Sequence, residues 1–551
     1  MPSGATFEFV LVAQRGQTTK ERQLQQAFAR SHAAKVSHSS RKRPKASPKQ
    51  AQSCVAPAPC LPPITKSDPD LSVATLPTPR SMIGDAWSDP FDGEGLHQIP
   101  CVGRKSLEYV YTVLWPKNYP AVSGPALKSM QTTWRRRAIE DPLQFHAQVF
   151  NATTMCYALS TDPSTMTTLM DIRLKHQTAA VNLVRKRLQS LKGPAPEQLI
   201  ADIMRLAAQG GDTFRLSTSS RYPETPLANA FALRPYGRFD MSLPHFSALV
   251  QLVKQRGGLE TLSVSVGHPI QLIDIGMAAR LGTRPNFPIR GDFKAMCDIE
   301  AAKFDGEAVA LLLTTGRGWQ ILQQDYPDIV KLALYAIRLT ACLGQTQRRG
   351  PGHLSLKELG ILATIFQHDL HELNPTPGAG DLIHDPLSNI ARLALQIYSD
   401  LVLFPAAETY HAKTRLCREL LATLREYFSE GAPRFDELKG LILWAVVLGA
   451  IASDSAYNRD WYLRRMIGLV IQLDLDWDTF KACMEQFIWW DYMFDDRVSN
   501  AWGEAWGLTG KGRSTASRKS PELPNWRQVV GSKAKWFPVM LMEETGWIRH
   551  S

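Results

Sequence analysis

The sequence lacks the cysteine pattern of a zinc cluster or of a disulfide framework. Its eight cysteines are scattered along 551 residues, and no two of them form a CxxC pair. Structural zinc is held by closely spaced thiolates or imidazoles, and paired cysteines staple small secreted domains. Scattered single cysteines satisfy neither pattern, so we expect free thiols within a folded core.

Long apolar runs are also absent. The longest one, LILWAVVLGAIA at 441–452, has about half of the roughly 20 residues that a membrane-spanning helix needs. The N-terminal stretch MPSGATFEFVLVAQRGQ has no charged region ahead of a long apolar one, as a secretory signal would have. We therefore expect a buried helix at 441–452, no membrane partner and a chain that stays inside the cell.

Motifs for phosphate binding or nucleophilic catalysis are missing too. The segments RGGLETL (256–262) and GRG (316–318) have neither the preceding strand nor the lysine of a phosphate loop. No G-x-S-x-G elbow occurs. Gly257 instead fits the left-handed end of a helix formed by LPHFSALVQLVKQR. The sequence thus predicts no catalytic residue and no cofactor.

Positive charge is concentrated near the N-terminus. The whole chain has a net charge of +11, and residues 15–49 hold ten Lys or Arg against a single acid, Glu21. Such an arm favours an anionic partner. It could add sequence-independent phosphate contacts to DNA, whereas base recognition needs a folded element in a groove.

The cluster RKRPK within this arm suits the acidic groove of a nuclear import receptor. The bland alternative is a solvated basic tail. The residues predicted to bind the receptor are Arg41, Lys42, Arg43 and Lys45. They predict a nuclear location.

Composition divides the chain into four segments. Residues 1–36 predict a short strand at FEFVLV and then a basic helix. Residues 37–102 are rich in Pro, Ser and Lys, a composition that cannot offset the entropy of ordering, and they predict a disordered linker. Residues 103–507 read as helical, and residues 508–551 form a basic tail. We predict an all-α fold, a large helical domain preceded by a basic, largely disordered arm.

Helix starts recur within the body. Asp141, Asp162 and Asp385 each precede a proline, and this pair is typical of an N-cap followed by the first helical position. A break at 209–241 predicts a loop. Apolar residues elsewhere recur at helical spacing. The stripes are Leu169, Ile172, His176, Ala180, Leu183, Leu188 and Leu191; Ile390, Leu393, Ile397 and Leu401; and Leu416, Leu420, Leu424 and Phe428.

Near the C-terminus, QFIWWDYMFDDRVSNAWGEAW (486–506) contains adjacent aspartates, Asp495 and Asp496. Helical enzymes that bind magnesium diphosphate use carboxylates at i, i+1 and i+4, because one turn's spacing aims them at the same cation. Here the i+4 residue is Ser499 and not a carboxylate, so the pattern argues against a metal site. A helical enzyme acting on a hydrophobic diphosphate through these two carboxylates remains an alternative.

Four histidines could be considered as metal ligands. His368 and His371 lie one turn apart with Glu372 beside them, but zinc needs at least three protein ligands and no partner motif stands out. His146 and His176 fall on apolar faces, where hydrogen-bonded core histidines are commoner than ligands. We expect no metal site.

Six segments, taken in order, resemble the regulatory domain of fungal-specific transcription factors, the all-helical region that commonly follows a six-cysteine binuclear zinc cluster. Together they cover most of the chain from Arg30 to Trp506. The segments are ARSHAAKVSHSSRKRPK, DPLQFHAQVFNATTM, LKHQTAAVNLVRKRL, FSALVQLVKQRGGLETL, LILWAVVLGAIASDSAYNRDWY and FIWWDYMFDDRVSNAWGEAW.

The resemblance implies a nuclear, non-enzymatic regulator of metabolic genes, with a secondary-metabolite gene cluster as the narrower expectation. Its implied partners are the transcription machinery or a DNA-binding regulator. A cytoplasmic helical scaffold, for which the basic arm would only aid solubility, is the other alternative.

The resemblance has two more specific implications, one for a zinc cluster and one for the C-terminal acidic pair. Cys54 and Cys60 cannot supply the six thiolates of a zinc cluster, so this chain resembles a member that lacks the DNA-binding module. In the family, the C-terminal segment looks like a helix that carries Trp489 and Trp490, followed by a short acidic turn and a final Trp502. The resemblance therefore implies that Asp495 and Asp496 are solvated turn residues.

Overall fold

The computed structural model describes residues 99–119, 122–211, 224–232, 238, 240–299, 302–375, 385–405 and 411–509. Within these ranges the chain forms helices and turns and no strand, which confirms the all-α prediction. The strand predicted at 7–12, the basic helix, the linker up to residue 98 and the tail from residue 510 lie outside the described residues.

Seventeen α-helices follow one another in the described ranges. Their bounds are α1 Cys101–Tyr109, α2 Gly124–Glu140, α3 Pro142–Leu159, α4 Pro163–Gln189, α5 Glu197–Gln209, α6 Leu243–Arg256, α7 Val264–Leu281, α8 Gly291–Ala295, α9 Gly306–Thr314, α10 Pro327–Arg348, α11 Leu356–Glu372, α12 Pro386–Tyr398, α13 Ala412–Ser429, α14 Phe435–Ala452, α15 Ala456–Gln472, α16 Trp477–Glu485 and α17 Asp491–Gly507. Short 3-10 or π turns occupy Val110–Leu114, Trp115–Asn118, Pro226–Ala232, Leu259–Thr261, Arg317–Leu322 and Ser399–Leu403.

The predicted helix ends are confirmed. The side chain of Asp141 accepts a hydrogen bond from the backbone N–H of Leu143 at 2.9 Å. Asp162 and Asp385 cap α4 and α12 in the same way, and a proline follows each of them. These carboxylates satisfy backbone donors that have no partner within the helix. Gly257 ends α6 with a φ of 105°, a left-handed conformation that suits glycine.

Two hydrophobic cores lie within the described residues. The first is built mainly from α3 to α7 and the second mainly from α10 to α17. Helix α7 contributes to both, because Ile270 and Met277 lie in the first core and Ile275 lies in the second. The apolar run 441–452 lies on α14 and its Trp444 is fully buried, which confirms the buried helix predicted there.

The second core contains two of the three predicted apolar stripes, and the burial of their leucines and isoleucines confirms them, whereas Phe428 is half-buried. Leu416, Leu420 and Leu424 face inward from α13, as helical spacing requires. Among the described helices, none combines the length and apolar character that crossing a bilayer would demand.

A polar line runs through the first core between α3 and α5. The side chain of Asp202 is fully buried, where it accepts hydrogen bonds from Gln144 at 2.5 Å and from Arg205 at 2.8 Å. Asn151 continues the line by accepting from Trp115 and donating to Gln209, each at 2.9 Å. Burial raises the pKa of Asp202 to about 7, although the Arg205 guanidinium opposes the shift.

Candidate functional site

The predicted import residues, Arg41, Lys42, Arg43 and Lys45, lie outside the described residues. Their binding to an import receptor therefore stays a prediction. Cys54 and Cys60 lie outside the described residues as well.

The acidic pair lies on a helix, and this corrects the implied turn. Helix α17 begins at Asp491, so Asp495 and Asp496 occupy its second turn. Asp495 accepts hydrogen bonds at 2.9 Å from both the Lys481 ammonium and the Trp489 indole. Asp496 is exposed. Asp495 is therefore not a merely solvated residue, because it links α16, the segment before α17 and α17 itself.

The aromatic residues before this helix are buried as expected. Trp489 and Trp490 are 4% and 6% exposed. They precede α17 rather than lie on a helix, since α16 ends at Glu485. The indole of Trp489 needs a hydrogen-bond acceptor at this depth, and Asp495 supplies it.

The histidine pair on α11 takes part in structural hydrogen bonding. The Nε2 atom of His368 lies 3.0 Å from the Phe287 carbonyl oxygen. His371 is buried, and its two ring nitrogens contact the Gln367 and Asn374 amides at 2.8 and 2.9 Å. Burial lowers the pKa of His371 to about 3. No group of three or more metal-ligating side chains occurs among the described residues.

His146 and His176 pair with each other. Their Nδ1 atoms are 2.9 Å apart, and the rings are in contact with Phe145. His176 is buried on α4, and burial lowers its pKa to about 3. These histidines are hydrogen-bonded residues of the helix packing, as the sequence predicted.

A buried arginine in the second core was not predicted from the sequence. Arg392 donates to Asn374 at 2.5 Å and to Asn389 at 3.0 Å, and no carboxylate of the described residues forms an ion pair with it. Burial lowers the pKa of Arg392 to about 10. This network connects α12 to the end of α11, so we regard it as structural.

Arginines alternate with aromatic rings where α13 lies beside α15. The guanidinium of Arg425 lies 5.9 Å from the ring centre of Tyr457 and 5.5 Å from that of Trp461. The guanidinium of Arg465 lies 3.4 Å from the ring centre of Phe428 and 6.0 Å from that of Trp461. We call these five residues the arginine–aromatic surface.

Solvent reaches much of the arginine–aromatic surface. Tyr457 is 70% exposed, the highest value among the exposed large hydrophobic residues. Arg425 is also exposed, whereas Phe428, Trp461 and Arg465 are half-buried. Cations stacked on ring faces gain electrostatic attraction from the ring quadrupole. The surface thus presents an apolar floor with two guanidiniums on it.

Close packing beneath the surface fixes its shape. Tyr462 on α15 is fully buried and donates to the Cys417 carbonyl of α13 at 2.7 Å. A Cβ atom at Gly449 of α14 would lie only 2.3 Å from the Tyr462 ring, so glycine is required for this approach. Helices α13, α14 and α15 therefore hold the surface as one unit.

The two arginines of this surface differ from their neighbours in charge pairing. Arg464 pairs with Asp460 at 2.8 Å, and Arg459 pairs with Glu504 at 2.9 Å. By contrast, no carboxylate in the described part of the chain forms an ion pair with a guanidinium of the arginine–aromatic surface. Sequence reasoning missed this surface, although its three residues on α15 recur at every fourth position.

Comparison with known proteins finds no match. No family model, no curated protein and no solved structure matches this chain. The resemblance to fungal-specific transcription factors therefore rests on the six quoted segments.

Proposed function

We propose that this protein is a nuclear transcriptional regulator of fungal metabolic genes, and that it controls a secondary-metabolite biosynthetic gene cluster. In this proposal the helical body binds protein partners and carries out no chemistry of its own. The observation that supports it is the helical body itself, because the regulatory domain that the six segments resemble is all-helical, and the described residues between 103 and 507 form helices and turns without a strand.

In this proposal the basic arm and the helical body have different roles. The basic cluster Arg41, Lys42, Arg43 and Lys45 binds an import receptor, and the arm around it adds non-specific contacts to DNA. The helical body contacts the transcription machinery or a DNA-binding regulator. Its arginine–aromatic surface is the best candidate for that contact, since it combines exposed aromatic area with unpaired charge.

No specific observation favours the alternative of an enzyme that acts on a hydrophobic diphosphate. Such an enzyme would need both adjacent carboxylates free to bind magnesium. Asp495 is instead engaged by Lys481 and by Trp489, and Asp496 lies on the exposed side of the helix.

A localisation experiment tests the proposal. The full chain, fused to a fluorescent protein in a filamentous fungus, is compared with a variant in which all four basic residues of the cluster are changed to Ala. A control variant removes the same number of charges from the C-terminal tail. Its substitutions are Lys511→Ala, Arg513→Ala, Arg518→Ala and Lys519→Ala.

We expect nuclear fluorescence for the unchanged chain and for the tail variant, and its loss for the cluster variant. Exclusion of the unchanged chain from the nucleus would refute the proposal. Equal loss in both variants would show that total charge, and not the RKRPK cluster, directs import. Sequencing RNA after deletion of the gene separates a regulator from a cytoplasmic scaffold, because only a regulator should change one gene set in concert.

A further inference from the structure

We propose that the arginine–aromatic surface binds a partner protein through a segment in which carboxylates alternate with aromatic or aliphatic side chains. This inference rests on the proposed function, since it specifies the chemistry of the partner that the helical body would contact. It comes from charge complementarity and from the aromatic area that the surface exposes.

Charge complementarity favours an acidic partner. Arg425 and Arg465 have no ion-pair partner within the described residues, whereas Arg459 and Arg464 on α15 are paired with carboxylates. Arg418 lies two turns before Arg425 on α13, so it faces the same side of that helix, and it is exposed. Carboxylates at matching intervals would give charge-assisted hydrogen bonds to the guanidinium edges, because the guanidinium faces are already stacked on rings.

The surface also offers apolar area to a partner. Tyr457 projects into solvent beside the half-buried Trp461 and Phe428. Aromatic residues and arginines are the residue types that most often dominate binding energy at protein interfaces. An aromatic or aliphatic side chain of the partner could pack between the Tyr457 and Trp461 rings, where it would lose contact with water.

Nucleic acid fits this surface less well than a peptide. Affinity for a phosphate backbone grows with the number of phosphates that cations neutralise, so carboxylates placed among those cations weaken it. Here Glu426 follows Arg425 directly, and Asp454 stands exposed just before α15. These carboxylates would repel neighbouring phosphates, whereas a short peptide can place its own acids only where the guanidiniums are.

Fluorescence anisotropy tests the proposal directly. The probe is a short fluorescein-labelled peptide in which Asp alternates with Phe, Leu and Trp, titrated with the purified full chain. The control peptide has Asn at every Asp position. A labelled oligothymidine strand serves as the nucleic-acid probe. The variants are Arg425→Gln, the double variant Arg425→Gln with Arg465→Gln, and Tyr457→Ala.

The matched control is Arg464→Gln, which removes a paired arginine from the same helix. We expect the acidic peptide to lose about tenfold affinity for Arg425→Gln and more for the double variant. Tyr457→Ala should weaken binding comparably, Arg464→Gln should leave it unchanged, and the Asn peptide should bind weakly to every protein. Circular dichroism verifies the fold of each variant. If the double variant does not fold, Arg425→Gln alone still tests the proposal, because Arg425 is exposed and its substitution leaves the core unchanged.

Several outcomes would overturn the inference. They are no binding of the acidic peptide to the unchanged chain, equal affinity for all variants, and tighter binding of oligothymidine than of the peptide. A dimer in sedimentation that Tyr457→Ala dissociates would assign the surface to a second copy of the chain instead. Failure of the peptide experiment leaves nuclear localisation untouched, and a cytoplasmic chain that binds the peptide would refute only the proposed function.

Discussion

The buried carboxylate of Asp202 should make the stability of this protein depend on pH in a direction opposite to that of most aspartates. Asp202 is fully buried between Gln144 and Arg205, and burial raises its pKa to about 7. A carboxyl group with a raised pKa holds its proton more tightly in the folded state than in the unfolded state. Its contribution to stability is therefore present at low pH and is lost as the pH rises through about 7.

The size of this effect follows from the difference between the folded and unfolded pKa. The unfolded value is 3.8, and the folded value is about 7. Each pKa unit corresponds to about 1.4 kcal/mol, so the free energy of unfolding should fall by about 2 to 3 kcal/mol between roughly pH 5 and pH 8. Asp202→Asn removes the titrating group and should remove this slope. The charge left on Arg205 adds a cost that does not vary with pH in this range.

Urea denaturation of the full chain, followed by circular dichroism at several pH values, measures the effect. The informative quantity is the stability of the unchanged protein minus that of the variant, because the buried histidines His176 and His371 titrate alike in both and cancel. The exposed Asp171→Asn should run parallel to the unchanged protein. A difference that stays flat, or rises with pH, would mean that Arg205 keeps Asp202 ionised and that burial does not dominate.

Two further substitutions test the packing and the acidic pair. Gly449→Ala should destabilise the protein by about 1 to 3 kcal/mol, because its Cβ would overlap the Tyr462 ring. The control Gly468→Ala, in open space on α15, should stabilise it by about 0.5 to 1 kcal/mol; urea midpoints that move alike would contradict this packing. Asp495→Ala should cost about 1 to 3 kcal/mol, because it leaves a buried indole N–H without its acceptor. The exposed Asp496→Ala should stay within about 0.5 kcal/mol, and thermal midpoints that fall equally for both would count against the structural role.

Helix boundaries were predictable because their determinants are local. An aspartate followed by proline, as at Asp141, stabilises a helix start through atoms only a few residues away. The left-handed conformation at Gly257 likewise depends on glycine itself. Apolar residues at helical spacing predicted the buried helix faces for the same reason, since the whole pattern lies within one helix.

Features that depend on two helices were harder to predict. Gln144, Gln148 and Asn151 recur along one face of α3 and would ordinarily mark a solvated side. Gln144 and Asn151 are buried because Asp202 and Gln209 present a second polar stripe from α5, and only the fold brings the two stripes together. Gln148 has a different partner, since it accepts a hydrogen bond from the Tyr111 hydroxyl. The sequence of one helix does not show which polar residues a neighbouring helix will place against it.

The acidic pair was misread for a related reason. Asp495 looks like a solvated residue when only its neighbours in sequence are considered. Its ammonium partner, Lys481, belongs to the preceding helix. The arginine–aromatic surface was predictable in part, because Tyr457, Trp461 and Arg465 recur at every fourth position. Their stacking with Arg425 and Phe428 of α13 was not predictable, because it depends on how the two helices pack.

The arginine–aromatic surface is suited to binding because its side chains are ordered before a partner arrives. Arg425 begins with its guanidinium beside two rings, and Arg465 is already stacked on Phe428. Less side-chain entropy is then lost on association, and this loss is a main cost of binding through arginines. Helix α13 also contacts α7 near its N-terminal end, where Arg415 donates a hydrogen bond to the Ala279 carbonyl of α7 at 2.9 Å. A partner would therefore meet a preorganised surface on a helix tied to both its neighbour α15 and the helix that the two cores share.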